Sequence, residues 1–442
     1  MRGAAGADES RVFERRESAV RSYCRRFDCV FDTAEGSVVR DVTGREYLDF
    51  VAGAGSLNYG HNDADMRAAL IAHLEQCGIA HSLDLSSSAK SAFLAAFESL
   101  VLLPRRLDYR VQFTGPTGAN AVEAALKLAR KVTGRSNVVA FTNGFHGVSL
   151  GALAATGNRH HRVGPQLPLP GVTRMPYDGY QGAGVDTADL LERMLRDPSS
   201  GLDAPAAIML ETVQGEGGLN VASAAWLRRV AELAHDSGAL LIVDDVQAGC
   251  GRTGTFFSFE PYGIVPDLVV LSKSISGYGL PMALLLIRPE YDVWQPGEHN
   301  GTFRGNVHAF VTARVALTKF WADADFTAVV ARRADLLARG LAEVADSVPR
   351  AVPKGRGMMR GVDVGSGELA ATITRRCFAE GLMLETAGPY DQVVKVLAPL
   401  TTEDEQLQHG LDILLAAARG VDRGPDVGPE RDLRGSSGLV PA

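Results

Sequence analysis

An α/β fold built on a large, mostly parallel sheet is predicted by three features of the sequence. Between about residues 110 and 290, short apolar runs alternate with segments of helical periodicity. Those runs are apolar throughout rather than every second residue, as strands buried on both faces are. The chain has 442 residues, more than one compact core holds, so a second, smaller domain is expected.

The elements follow in order. A short strand is predicted at 111–114, then a helix at 119–130 with Val122, Ala125, Leu126 and Ala129 on one face. Val138–Phe141 is the next apolar run. A strand at 207–211 leads to a helix at Ala224–Asp236, which Gly238 stops. Apolar strands Leu240–Asp244, Leu268–Leu271 and Leu284–Ile287 come next. From about 325 the pattern changes to helix (327–345), strand (357–364), helix (369–380) and strand (393–397). That is the pattern of a smaller α+β domain, completed by N-terminal strands near 37–49. The expected division is therefore 1–59 and 321–420 in the small domain and 60–320 in the large one. Residues 1–10 and 421–442 are rich in Gly, Pro, Ser and charge and are expected to be disordered.

Composition narrows the class. A net charge of −7 over this length argues against a nucleic-acid or anionic-membrane surface, and no apolar run is long enough for a membrane span. Five cysteines without a CxxC pair speak against a disulfide framework and against a metal site. No apolar leader region follows the N-terminus, so a cytoplasmic protein is expected. No repeat of 20–50 residues is present, which excludes a solenoid.

In an open parallel sheet, ligands sit at the carboxyl ends of the strands. Asp244 ends the run LLIVD and Lys273 follows LVVLS, so both belong to one rim. A lysine and a carboxylate so placed suit pyridoxal 5′-phosphate (PLP): the lysine binds it as a Schiff base, and the acid keeps the pyridine nitrogen protonated. An Asp and a Lys at strand ends are incidental in most proteins, so their neighbours decide. The segment TGPTGANAVEAALKLAR (114–130) sets a glycine turn before a helix, where free N–H groups and the helix dipole attract a phosphate. The loop NGFHG (143–147) offers Phe145 and His146; an aromatic there stacks on a ring or packs in the core. Asp245 faces away from Asp244 along the chain, and Cys250 and His61 read as structural residues.

The runs LLIVDDVQAGCGRTGTFFSFE (240–260), PDLVVLSKSISGYGLPMA (266–283) and GEHNGTFRGN (297–306) resemble fold-type I, class III aminotransferases. VAGAGSLNYGHN (51–62), ETVQGEGGLN (211–220) and DQVVKVLAPLT (391–401) narrow the likeness to the diaminobutyrate–2-oxoglutarate aminotransferases of ectoine biosynthesis. The resemblance implies a seven-stranded type of large sheet, PLP as cofactor, and a homodimer with shared active sites. Carried over position by position, Lys273 is the Schiff-base lysine and proton shuttle, and Asp244 the partner of the pyridinium nitrogen. Gln247 is expected to bond the phenolic oxygen, and Phe145 to stack on the ring beside His146. Gly118 and Ala119 mark the phosphate turn, and Thr302 is expected to reach the phosphate of the partner subunit's cofactor. Ala119 departs from relatives that carry Ser or Thr there, which implies a lost side-chain bond to phosphate.

Glu216 and Lys395 bear on substrate. The resemblance implies that Glu216 masks a cation that otherwise binds the α-carboxylate of glutamate, and the matching position holds Lys395 rather than arginine. A lysine is a point charge, not a bidentate fork, and grips a carboxylate less specifically. The implied reaction is transamination between L-glutamate and L-aspartate 4-semialdehyde, giving L-2,4-diaminobutyrate and 2-oxoglutarate. The alternatives are another ω-amino-acid or diamine aminotransferase (4-aminobutyrate, ornithine or a natural-product substrate), a decarboxylase or aminomutase on the same scaffold, or a PLP-binding regulator. The last lacks the helix-turn-helix and basic face such a protein carries.

Overall fold

A computed structural model describes residues 12–162 and 168–421. The disorder expected of 1–10 and 421–442 therefore falls, apart from residue 421, outside the described residues. A seven-stranded sheet forms the centre, in the order Arg110–Phe113, Leu284–Ile287, Leu268–Leu271, Leu240–Asp244, Ala207–Leu210, Val138–Phe141, Val172–Met175. Every strand shares one direction except Leu284–Ile287, which runs antiparallel to both of its neighbours.

The uniformly apolar runs are explained by what covers them. Along Leu240–Asp244, Leu240 and Ile242 pack with Val122, Ala125 and Leu126 of helix Gly118–Thr133. Leu241 and Val243 point the other way, into a cluster with Trp226, Leu227 and Val230 of helix Ala224–Asp236. Alternate side chains thus enter two different cores, so no position before the terminal Asp244 is left for a polar residue.

Two smaller sheets complete the fold. Phe31–Glu35, Val38–Asp41 and Glu46–Asp49 form an antiparallel set, to whose last strand Leu382–Met383 adds in parallel. Val352–Arg356, Met359–Asp363, Val393–Val396 and Glu385–Ala387 form the other. Where the sequence predicts one strand at 357–364, the structure has a hairpin turning at Gly357, whose φ is +61°. Its first strand reads VPKGR; proline and glycine hide it from a propensity argument, and it is tolerated because it lies at the sheet edge. Helices Asp325–Ser347, Gly367–Ala379 and Asp404–Arg419 cover these sheets with a separate apolar core.

Arg252 ties the central sheet to the smaller ones. It is fully buried, donates to Asn58 Oδ1 at 3.0 Å and 2.6 Å, and reaches the Ala398 carbonyl at 2.5 Å. The junction brings the C-terminal strand Val393–Val396 close to the rim that carries Asp244 and Lys273, as the contacts below show.

Candidate active site

The Leu268–Leu271 strand ends, Ser272 stays extended, and Lys273 then turns with φ +54° into the short helical turn Lys273–Ser276. A positive φ is uncommon for a residue with a Cβ, and such strained positions cluster at functional sites. Burial lowers the proton affinity of the Lys273 ammonium; Glu216 works against that and Lys395 adds to it. Among the described residues, no carboxylate lies within ion-pair distance of it.

Asp244 closes the neighbouring strand. Its Oδ2 lies 2.8 Å from His146 Nδ1, and its Oδ1 accepts from the Val246 amide at 3.1 Å. Burial opposes charge on His146, but the bond to Asp244 and the charges of Asp244 and Glu211 outweigh it and raise the imidazole above its usual value. The His146 amide donates to Thr156 Oγ1, which fixes the loop around the ring. Asp245 points elsewhere and accepts from the Ser258 amide at 2.9 Å, as strand alternation requires.

Phe145 is held from behind by Glu211. The Phe145 and Gly215 amides donate to the two oxygens of that carboxylate, at 2.9 Å and 3.1 Å. Burial, against the pull of His146, pushes Glu211 up to about 7. Sequence reasoning missed this residue, although it follows the apolar run AIML just as Asp244 closes LLIVD.

The phosphate turn is prepared by its own side chains. Thr117 Oγ1 caps the helix by accepting from the Asn120 amide at 3.2 Å, and Asn120 Oδ1 accepts from the Gly115 amide at 2.8 Å. The Gly118 and Ala119 amides have no acceptor among the described residues. A Cβ at Gly118 would come within 3.1 Å of Val246, and one at Gly147, with φ +123°, within 2.7 Å of the Ala119 Cβ. The turn therefore admits only small side chains.

Glu216 and Lys395 meet as the resemblance implies. Lys395 Nζ donates to Glu216 Oε1 at 2.8 Å and lies 2.8 Å from Glu385 Oε1, with the lysine side chain wholly buried. Against the cost of burial, Lys395 and Lys273 bring Glu216 down to about 2. Burial raises Glu385, whose other oxygen accepts from Tyr23 at 3.2 Å. No local pattern singles out Glu385 or Tyr23; they enter through chain segments that meet only on folding. Gln247 Nε2 donates to Ala54 O at 2.9 Å and Glu216 Oε1 at 3.0 Å, leaving its Oε1 buried without a partner. Donation from Gln247 to a cofactor's phenolic oxygen requires release of one of those bonds.

Nine of the ten expected residues thus stand on or beside one rim. Thr302 is exposed on the loop before helix Val307–Phe320, beside exposed Phe303, and makes none of the contacts described above. The group that fits the rim is PLP: two free helix-start amides for a phosphate, a buried carboxylate for a ring nitrogen, an orphaned amide oxygen, and a lysine with no fixed partner. Among the described residues no cluster of His, Cys, Asp and Glu can hold a metal ion.

This architecture and site are those of an aminotransferase. The family model for aminotransferase class-III matches residues 20–418, and the chain belongs to that family. It is 58% identical over 405 residues to the diaminobutyrate–2-oxoglutarate transaminase of Vibrio cholerae serotype O1, covering 91% of this chain and 98% of that one. It is 53% identical to the enzyme of the same name from Nocardia farcinica, covering 94% and 95%. Among solved structures, ornithine aminotransferase from Toxoplasma gondii superposes with a TM-score of 0.81 at 26% identity, over 93% of each chain. An aminotransferase from Bacillus anthracis, at 23% identity with a TM-score of 0.84, shares the fold.

Proposed function

We propose that the protein is a PLP-dependent transaminase that exchanges an amino group between L-glutamate and L-aspartate 4-semialdehyde, giving L-2,4-diaminobutyrate and 2-oxoglutarate. The observation that carries this is the near full-length likeness to transaminases of that name, at 51–58% identity among those compared, with every site residue above inside the family match at 20–418. When bound, PLP supplies a ring that carries the amino group and withdraws electrons from the substrate carbon.

The chain's own residues supply the rest. Lys273, whose proton affinity burial lowers, takes a proton from the amino-bearing carbon of the substrate and returns it. Asp244, backed by His146, presents a carboxylate to the ring nitrogen. Phe145, supported by Glu211, lies against the ring face, and Val246 stands beside the phosphate turn. Lys395 binds the α-carboxylate of glutamate when Glu216 gives way, and Glu216 covers it when the reacting amine lacks that group. Thr302 and Phe303, exposed on one loop, support a homodimer in which Thr302 reaches the partner's cofactor phosphate. The separate apolar cores support the division into a large domain at 60–320 and a small one from 1–59 and 321–420. Formation of diaminobutyrate supports a place in ectoine synthesis in the cytoplasm.

Turnover of L-2,4-diaminobutyrate with 2-oxoglutarate tests the assignment. The protein should use this amine faster than 4-aminobutyrate or ornithine, and an equal or greater rate with either overturns the substrate. Lys273→Ala should release no 2-oxoglutarate from glutamate; release at the native rate overturns the reaction.

A further inference from the structure

A pocket opens beside Phe145 and Glu216, walled by Asn143, Asn158, His161 and Asp391 and bordered by the end of strand Glu385–Ala387 and the turn after it. It borders the site but takes in groups that none of the roles above uses. Its polar walls are of two kinds. On one side are carboxylates: Glu216 Oε2 has no partner among the described residues, and Asp391 uses only Oδ1, accepting from Thr386 at 3.3 Å with Arg26 4.0 Å away. On the other are neutral hydrogen-bonding groups. The Asn143 and Asn158 Nδ2 atoms have no acceptor among the described residues, and the Asn158 Oδ1 is occupied by the His160 amide. The His161 ring stands edge-on to Phe145, with centroids 5.2 Å apart, and burial, followed by His160, lowers its proton affinity.

Among the described residues, the cations nearest this pocket are already set against its acids, Lys395 on Glu216 Oε1 and Arg26 4.0 Å from Asp391 Oδ1. A bare carboxylate entering it would face the second oxygens of Glu216 and Asp391, with both nearby cations already engaged. A zwitterion is matched: its carboxylate can accept from the amides and the imidazole, while its ammonium faces Asp391. When the γ-amine of diaminobutyrate is the reacting group, the end left over is an α-ammonium with its α-carboxylate.

We propose that this pocket is the distal subsite for the α-amino-acid head of the diamine, with Asp391 accepting from the α-ammonium and Asn158 and His161 donating to the α-carboxylate. The proposal rests on the reading of the protein as a diaminobutyrate transaminase. On this assignment 4-aminobutyrate, which has the same chain length and no α-ammonium, should be the poorer substrate: it brings a carboxylate but nothing for Asp391.

The test compares kcat/KM for L-2,4-diaminobutyrate and 4-aminobutyrate in the holoenzyme and in Asp391→Asn. Asparagine keeps the oxygen that Thr386 bonds and removes only the charge. The preference for diaminobutyrate should fall about fivefold, the scale of one solvent-accessible ion pair, chiefly through KM for that amine. His161→Ala, as a second variant, should raise KM for diaminobutyrate without changing the absorbance of the bound cofactor. If the wild type shows no preference for diaminobutyrate, the functional reading itself fails. If it does, and neither variant shifts the KM for diaminobutyrate, the subsite assignment alone is overturned.

Discussion

His146 Nδ1 and Asp244 Oδ2 lie 2.8 Å apart with both side chains buried, so a loop histidine braces the strand-end acid. The bond gives the site a pH dependence of definite sign. The folded state raises the imidazole above its ordinary value of 6.5, so it binds a proton more tightly than the unfolded chain does. The stabilisation is complete below about 6.5 and is lost as pH rises through the higher folded value. His146→Asn keeps a donor for Asp244 but does not titrate. Thermal unfolding followed across pH should show the wild type losing stability relative to this variant as pH rises, and parallel curves would contradict the account.

Lys395 is the counter-ion of two carboxylates at once. Burial disfavours its charge, and Glu216 and Glu385 together overcome that and raise it. Lys395→Met should cost roughly 3–5 kcal/mol in denaturant unfolding, because it strands buried acid. Adding Glu385→Gln to that variant should recover part of the loss. Equal stability of the single and double variants would show that Glu385 carries no charge in this cluster.

Ala119 lies at a turn with free amides and no side-chain hydroxyl of its own, since Thr117 is spent on capping the helix. Ala119→Ser should add one hydrogen bond to a phosphate, worth about 1.5 kcal/mol or roughly a tenfold slower loss of cofactor on dialysis. Unchanged retention would mean that the serine hydroxyl does not reach the phosphate. The close approach of Gly147 to Ala119 makes Gly147→Ala a useful opposite, loosening the same turn.

The sequence by itself determined the parts that depend on short-range patterning. Uniformly apolar runs located Leu240–Asp244, Leu268–Leu271 and Leu284–Ile287 at the limits the structure gives them, and Gly238 ended its helix as expected. The carboxyl-end rule then put Asp244 and Lys273 on one rim, because strand direction fixes where strand ends point. Edge strand Val352–Arg356 escaped, since an edge position relaxes the demands on composition that make central strands visible. Tertiary structure alone added Glu385 and Tyr23, 362 residues apart, to the Glu216–Lys395 pair that the family resemblance implied. It also decided that Thr117 caps its helix while its neighbours' amides stay free, and that Asp391 and His161 face one pocket. Local propensity is written in neighbouring residues, whereas which buried charge meets which partner follows only from how the sheets and their covering helices pack.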